Sequence, residues 1–128
     1  MHVESSALAI IKQLFEYFND VNDEQVARAL GALSQVHRLR ALRALVVAGH
    51  EGLTPGVLSE RLGISPASMS FHLKELSIAG LVSQTRDGRH LIYRAAFGRM
   101  NELMGFLTAN CCAGQPCELD TPTCHCPP

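Results

Sequence analysis

The segment from Thr54 to Gly80 constrains the fold of this chain most strongly, because two sets of helix start and stop signals follow each other closely within it. Thr54 can cap a first helix that opens with a proline, and Gly63 can end that helix. Ser65, followed by another proline, repeats the start signal, and Gly80 repeats the stop. Two short helices around a glycine-containing turn are typical of a helix-turn-helix, whose second helix enters the major groove of DNA.

The second helix of this segment has one apolar face and one mixed face. Met69, Leu73 and Leu76 recur at the spacing of a helical stripe that packs on a core. Helical phasing places His72 near this stripe, and we predict a partly buried histidine there with its hydrogen bonds satisfied. The residues predicted to contact DNA from the outer face and its flank are Ser68, Ser70, Phe71 and Lys74. The alternative is a solvated face of a structural helical hairpin, against which the large apolar side chains of Phe71 and Ile78 argue.

After this helix, the spacing of the apolar residues is no longer helical, and the new pattern predicts a β-hairpin. Two strand-like runs flank Asp87-Gly88, a dipeptide that favours a two-residue hairpin loop. Arg86 and Arg89 would then form a cationic tip able to contact phosphates or a minor groove. A hairpin directly after a helix-turn-helix is a wing, and the alternative is an ordinary hairpin with solvated charges. The predicted cross-strand pairs are Arg86–Arg89, Gln84–Leu91 and Val82–Tyr93.

Apolar periodicity predicts four further helices outside this segment. One spans about residues 7–18, and a second is capped by Asn22 or Asp23 and extends at least to Leu33. The other two span about residues 36–48 and 96–109. We expect Leu30 and Leu39 to point inward and Arg38, Arg40 and Arg43 to stay solvated, with phosphate contact by one of the first two arginines as the alternative. The first and last helices have apolar faces to spare, which could pair across a two-fold axis in a homodimer. The predicted fold is mainly α with a β-hairpin wing: a winged helix-turn-helix whose N- and C-terminal helices form a dimer interface.

Charge is distributed unevenly along the chain. The net charge is only −1, but residues 28–94 contain nine basic and four acidic side chains, a local excess of five positive charges. This excess coincides with the helix-turn-helix and the hairpin, where DNA phosphates would bind.

The sequence also argues against several other classes of protein. It contains no apolar run of about eighteen residues and no signal peptide, so we expect a cytoplasmic protein without a membrane partner. Paired carboxylates, a Ser-His-Asp set and a phosphate-binding loop are all missing from it. We therefore expect neither an enzyme nor a small-molecule substrate.

All five cysteines of the chain follow residue 110, at Cys111, Cys112, Cys117, Cys124 and Cys126. An odd number in one tail of an apparently cytosolic domain does not indicate a disulfide framework. Three converging thiolates, from the first three cysteines, suit a soft ion such as As(III) or Sb(III), which accepts a trigonal-pyramidal set of sulfurs. Zinc would need a fourth ligand, which Cys124, His125 or Cys126 could supply. A redox-active or non-binding tail is the remaining alternative. We divide the chain into a DNA-binding and dimerisation domain, residues 1–110, and a metalloid-binding tail, residues 111–128.

The chain resembles the ArsR/SmtB family of winged-helix repressors that sense metals and metalloids. The resemblance covers about Val26 to Thr108. It is carried by the segments LSQVHRLRALRAL, LSERLGISPASMSFHLKELSIAGLV and RDGRHLIYRA. It implies a homodimer that binds a palindromic double-stranded operator and blocks transcription until an inducer releases it.

The inducer site varies within this family and must be compared residue by residue. Members with an arsenic site on the first helix of the helix-turn-helix have a Cys-x-Cys there, where this chain has Thr54-Pro55-Gly56-Val57. Members that sense zinc or nickel use His and carboxylates of the last helix, where this chain has no His and only Glu102. Redox switches of the family need a cysteine on an earlier helix, which is also missing.

What remains is similar to an arsenic-responsive branch with two adjacent cysteines and a third just beyond the last helix. Cys111, Cys112 and Cys117 match that pattern, whereas Cys124 and Cys126 do not belong to it and their role stays open. The resemblance thus predicts a repressor of an arsenic-resistance operon that As(III) or Sb(III) releases. The alternative is a regulator or metal-handling module that binds zinc or another soft metal through the tail.

Overall fold

The computed structural model describes residues 21–109 and Ala113. The helix predicted over residues 7–18 and all five cysteines lie outside the described residues, so they and the domain boundary at residue 110 stay predictions. The described part is mainly helical with one antiparallel two-stranded hairpin, as predicted. Its elements are α1 (Asp23–Leu33), α2 (Val36–Ala48), a 3-10 turn (Gly49–Glu51), α3 (Pro55–Leu62), α4 (Pro66–Ile78), β1 (Val82–Asp87), β2 (His90–Ala95) and α5 (Phe97–Thr108).

The start and stop signals of the helix-turn-helix act as predicted. The Thr54 hydroxyl accepts a hydrogen bond from the backbone N–H of Val57 at 3.3 Å, and α3 ends at Gly63, which has the left-handed conformation. The Ser65 hydroxyl accepts a hydrogen bond from the N–H of Ser68 at 3.2 Å and starts α4. The left-handed Gly63 and the Ser65 cap thus determine where α3 ends and where α4 begins.

The core lies where α4 packs against α1, α2, α3 and β1. The predicted stripe of Met69, Leu73 and Leu76 is fully buried in it. Leu30 and Leu39, by contrast, were wrongly predicted to point inward, since each is 44% exposed. Both lie at the edge of their helix's apolar stripe, and α1 buries its neighbouring positions instead. The other large side chains that are fully buried are Leu45, Leu58 and Leu81.

The register of the hairpin differs from the prediction by two residues. The loop is Gly88-Arg89, and Arg86 pairs with Leu91 instead of Arg89. The physical reason is that Gly88, at φ 61°, takes the first loop position, where a type II′ turn requires a positive φ. A shift of this size preserves the face on which each side chain lies. The predicted pairs are thus replaced by Val82–Ala95, Gln84–Tyr93 and Arg86–Leu91.

The hairpin is anchored to the loop that precedes α3. Leu53 and Tyr93 exchange two backbone hydrogen bonds, of 3.0 and 2.9 Å, which add one antiparallel rung beside β2. The Arg94 Nε donates to the backbone carbonyl of His50 at 2.6 Å. These contacts hold the wing against the helical part of the fold. No helix within residues 21–109 is long and apolar enough to cross a membrane.

Candidate nucleic-acid interface

The predicted DNA-binding side chains lie exposed on the outer face of α4, on the side away from its buried stripe. Phe71 and Lys74 are exposed there, as are Ser68 and Ser70. Phe71 is 56% exposed, a large value for a phenyl ring. The face therefore offers two hydroxyls, one ammonium group and one aromatic ring to a partner.

The wing tip presents two further cations close to this helix in sequence. Arg86 and Arg89 are both exposed, as predicted, but they do not face each other across the strands. Arg86 lies on β1 and Arg89 lies in the loop, with Asp87 between them. Arg94 plays a different role, because its guanidinium is held by the carbonyl of His50 and the hydroxyl of Thr85.

A cluster of polar groups lies behind α4. His72 is buried, as predicted, and its ring centroid lies 5.7 Å from that of His37 on α2. The prediction that its hydrogen bonds would be satisfied is wrong for the described part of the chain, where its Nδ1 has no partner. Arg38, predicted to be solvated, is half-buried, and its Nε also lacks a partner among the described residues. Sequence periodicity missed this cluster because its members come from different helices.

The described residues include no metal site. Within residues 21–109, no group of three or more His, Cys, Asp or Glu side chains is placed to hold a metal ion. The predicted ligands Cys111, Cys112 and Cys117, with Cys124 and Cys126, are outside the described residues. The three-thiol site stays a prediction.

Comparisons with known proteins agree with this geometry. Residues 24–85 match the family model described as a helix-turn-helix domain. Over 85 residues, the chain is 31% identical to the nodulation protein NolR of Rhizobium meliloti, covering 66% of this chain and 67% of that protein. The chain belongs to the ArsR/SmtB family. The predicted resemblance to that family is thereby confirmed, and the ArsR-family chain has the family and fold of DNA-binding transcriptional regulators.

Solved structures of similar proteins show the same fold. An ArsR-like transcriptional regulator from Rhodococcus sp. RHA1 is 30% identical and superposes with a TM-score of 0.59, covering 66% of this chain and 76% of that one. The homodimeric winged helix-turn-helix DNA-binding domain of Mb0332 from Mycobacterium bovis is 27% identical, with a TM-score of 0.54 over 68% of this chain and 81% of that one. The predicted winged helix-turn-helix is confirmed.

Substituting Lys74 tests the outer face of α4 in this ArsR-family regulator. We expect Lys74→Gln to weaken binding to all DNA sequences alike and to reduce the slope of log K against log salt by about one unit for each copy bound, because one phosphate contact is lost. Arg89→Gln should act in the same way through the wing. Salt titrations of DNA affinity measure the slope.

Arg43→Gln is the matched control, since it removes the same charge from an exposed position of α2. It should leave the slope nearly unchanged. If all three variants shift the slope equally, binding depends on net charge and not on α4 and the wing.

The buried histidine is expected to make the stability of this ArsR-family regulator depend on pH. Burial lowers the pKa of His72 below its ordinary value of 6.5, and the positive charges of Arg38 and His37 lower it further. The unfolded chain therefore binds a proton at His72 more readily than the folded chain. The contribution to stability is complete above pH 6.5 and is lost as the pH falls toward the lowered pKa.

We expect the urea midpoint to fall between pH 7 and pH 5 more steeply for the natural protein than for His72→Gln. Unfolding curves followed by circular dichroism at each pH give both slopes. Equal slopes for the two proteins would show that His72 does not titrate differently on folding.

Proposed function

We propose that the protein represses an arsenic-resistance operon as a homodimer and leaves its operator when As(III) or Sb(III) binds Cys111, Cys112 and Cys117. The observation that supports this proposal is the position of three cysteines in one short stretch that begins just after the end of α5 at Thr108. Acting on DNA, the protein would work in the cytoplasm.

The chemistry of the ligand set favours a metalloid over harder ions. Thiolate sulfur is a soft donor and binds soft ions in preference to calcium or magnesium. Arsenous acid can exchange three hydroxyls for three cysteine sulfurs with release of three water molecules, which leaves a neutral three-coordinate product. Structural zinc is four-coordinate and would have to recruit Cys124, His125 or Cys126.

The exposed apolar surface of α5 supports the homodimer. Met104 and Leu107 lie three residues apart on one face of α5, and each is more than half exposed. Contiguous apolar surface of this kind marks an interface with a partner. The homodimeric domain of Mycobacterium bovis described above has the same fold. We propose that α5 pairs with its copy, so that the three thiols follow directly from a dimer helix.

This placement suggests how the inducer acts. The inducer can release DNA only if it binds the free dimer more tightly than the DNA-bound dimer, and a hundredfold release requires about 2.7 kcal/mol of coupling. Tying the end of α5 to the tail would change how the two copies of α4 are spaced along the operator. Operator affinity depends on that spacing, because each copy of α4 must enter one of two half-sites that lie a fixed distance apart on one face of the duplex.

Fluorescence anisotropy on DNA from upstream of the protein's own gene tests the proposal. The protein is bound at fixed concentration and titrated with arsenite, antimonite and Zn(II) in separate experiments. We expect release by the metalloids and not by zinc. Release by zinc alone would assign the sensor to the Cys-His-Cys end of the tail, and specific binding that no ion disturbs would contradict the proposed inducer.

A further inference from the structure

The outer face of α4 is more apolar than a phosphate-binding surface requires. Phe71 and Ile78 are 56% and 55% exposed, and Ala67 is exposed one turn before Phe71. These residues are spaced by four and seven positions and therefore share one side of the helix. They form an apolar stripe on the side opposite the buried Met69 and Leu73.

The aromatic ring on this stripe is not needed by the core. The core side chains of α4, which are Met69, Leu73 and Leu76, lie on the other side of the helix and are fully buried. Its aromatic contact in the described structure is with His72, at a centroid distance of 5.9 Å and an interplanar angle of 61°. The Phe71 ring therefore contacts His72 and stays more than half exposed to solvent. Removing this exposed ring from water would be favourable, and that requires a partner to cover it.

The composition of α4 limits the kinds of contact by which its side chains can recognise base pairs. Its sequence, PASMSFHLKELSI, contains no Arg, Asn or Gln, the side chains that most often recognise guanine or adenine through paired hydrogen bonds. Lys74 and the serines can bind phosphates or single base edges. Apart from Lys74, which can also bind guanine, the group on this face that can distinguish base pairs is the apolar stripe.

The thymine 5-methyl group is the apolar feature that the four standard bases present in the major groove. The N-terminal half of a recognition helix is the part that contacts base edges, and Phe71 lies in the second turn of α4. We infer that Phe71 packs against a thymine methyl group in each operator half-site and sets the preference for an A·T pair at that position. The inference rests on the proposed use of α4 as the DNA-contacting helix and is independent of the inducer.

Replacing thymine by deoxyuridine tests this inference, because it removes the methyl group and keeps all hydrogen-bonding groups of the base. Operator duplexes with single symmetric substitutions are compared by fluorescence anisotropy. We expect one position at which the substitution weakens the natural protein about fourfold or more per half-site, the amount that one buried methyl group contributes. Phe71→Ala should bind the thymine and deoxyuridine duplexes equally well.

Lys74→Gln is the matched control on the same face of α4. It should weaken binding to both duplexes and keep their ratio, because it removes a charge and not the methyl contact. Phe71→Leu, which keeps an apolar side chain, should retain part of the ratio. Circular dichroism spectra verify that the variants are folded, as expected for an exposed position.

Two results would overturn the inference while leaving the proposed function intact. One is a Phe71→Ala protein that still distinguishes the two duplexes. The other is a natural protein that binds its operator tightly and is indifferent to deoxyuridine at every position. A natural protein without any sequence-specific DNA binding would contradict the proposed function as well as the inference.

Discussion

Replacing Gly52 with alanine is expected to destabilise the folded protein by about 3 kcal/mol or more, from a backbone conformation that only glycine adopts easily and from steric overlap. Gly52 has φ 68° and ψ −176°. A Cβ atom built on it would lie 2.5 Å from the carbonyl oxygen of Tyr93 and 2.7 Å from the Cγ2 of Ile92. The same oxygen accepts the hydrogen bond from Leu53 that anchors the wing. The overlap can be relieved only by moving backbone, which weakens this rung.

Gly49 supplies a matched control three residues earlier. It has a similar φ of 65°, but a Cβ atom there would meet nothing within 4 Å among the described residues. Gly49→Ala should therefore show the conformational cost alone, about 1–3 kcal/mol. Urea unfolding followed by circular dichroism compares the two variants. Equal losses of stability would mean that the contact with Tyr93 is relieved at no cost.

Replacing Cys111, Cys112 or Cys117 singly with serine is expected to leave operator affinity unchanged and to abolish release by arsenite. A hydroxyl cannot replace a thiolate as a soft donor, and two sulfurs cannot satisfy three-coordinate As(III). Operator affinity should be kept because the cysteines follow α5 in sequence and lie outside α4 and the wing. Anisotropy titrations with arsenite should show a loss of the inducer effect of a hundredfold or more, equivalent to about 2.7 kcal/mol of coupling.

Cys124→Ser and Cys126→Ser are the controls for this series. Both remove a thiol from the same tail, and both should respond to arsenite as the natural protein does. Retained release in all three variants of the first set would eliminate the proposed triad. Loss of release in the second set instead would place the sensor nearer to the end of the chain.

The helix-turn-helix was predictable from sequence because its signals are local. A cap is a side chain and a backbone N–H three residues apart, as at Thr54 and Ser65, so sequence alone determines it. The spacing of Met69, Leu73 and Leu76 likewise determined the buried face of α4. The exposed residues on the opposite face followed from the same phase.

The errors arose where distant parts of the chain decide the outcome. The dipeptide Asp87-Gly88 predicted a hairpin correctly but not its register, which depends on whether Gly88 takes the first or the second loop position. Similarly, a helical stripe does not show which of its edge positions another helix covers, and for this reason the burial of Leu30 was overestimated. Arg38 lies near enough to His72 of α4 for its charge to lower the pKa of that histidine, and periodicity on α2 cannot reveal such a neighbour.

The proposed inducer site and the DNA-binding face are supported by different kinds of evidence. Family membership accounts for the fold and for DNA binding, whereas the cysteine pattern belongs to this chain's own tail, beyond residue 110. The preference of thiolate sulfur for soft ions is the basis of the ligand proposed for that tail, and the titrations with arsenite, antimonite and zinc test it.

The most direct test of the proposed mechanism is to measure arsenite affinity twice by calorimetry, once for the free protein and once for the protein saturated with operator DNA. Binding free energies are reciprocal, so each ligand must weaken the other by the same factor. The account predicts that operator DNA lowers arsenite affinity by the factor by which arsenite lowers operator affinity. Equal arsenite affinity in the two states would contradict it, because a ligand that does not distinguish them cannot release DNA.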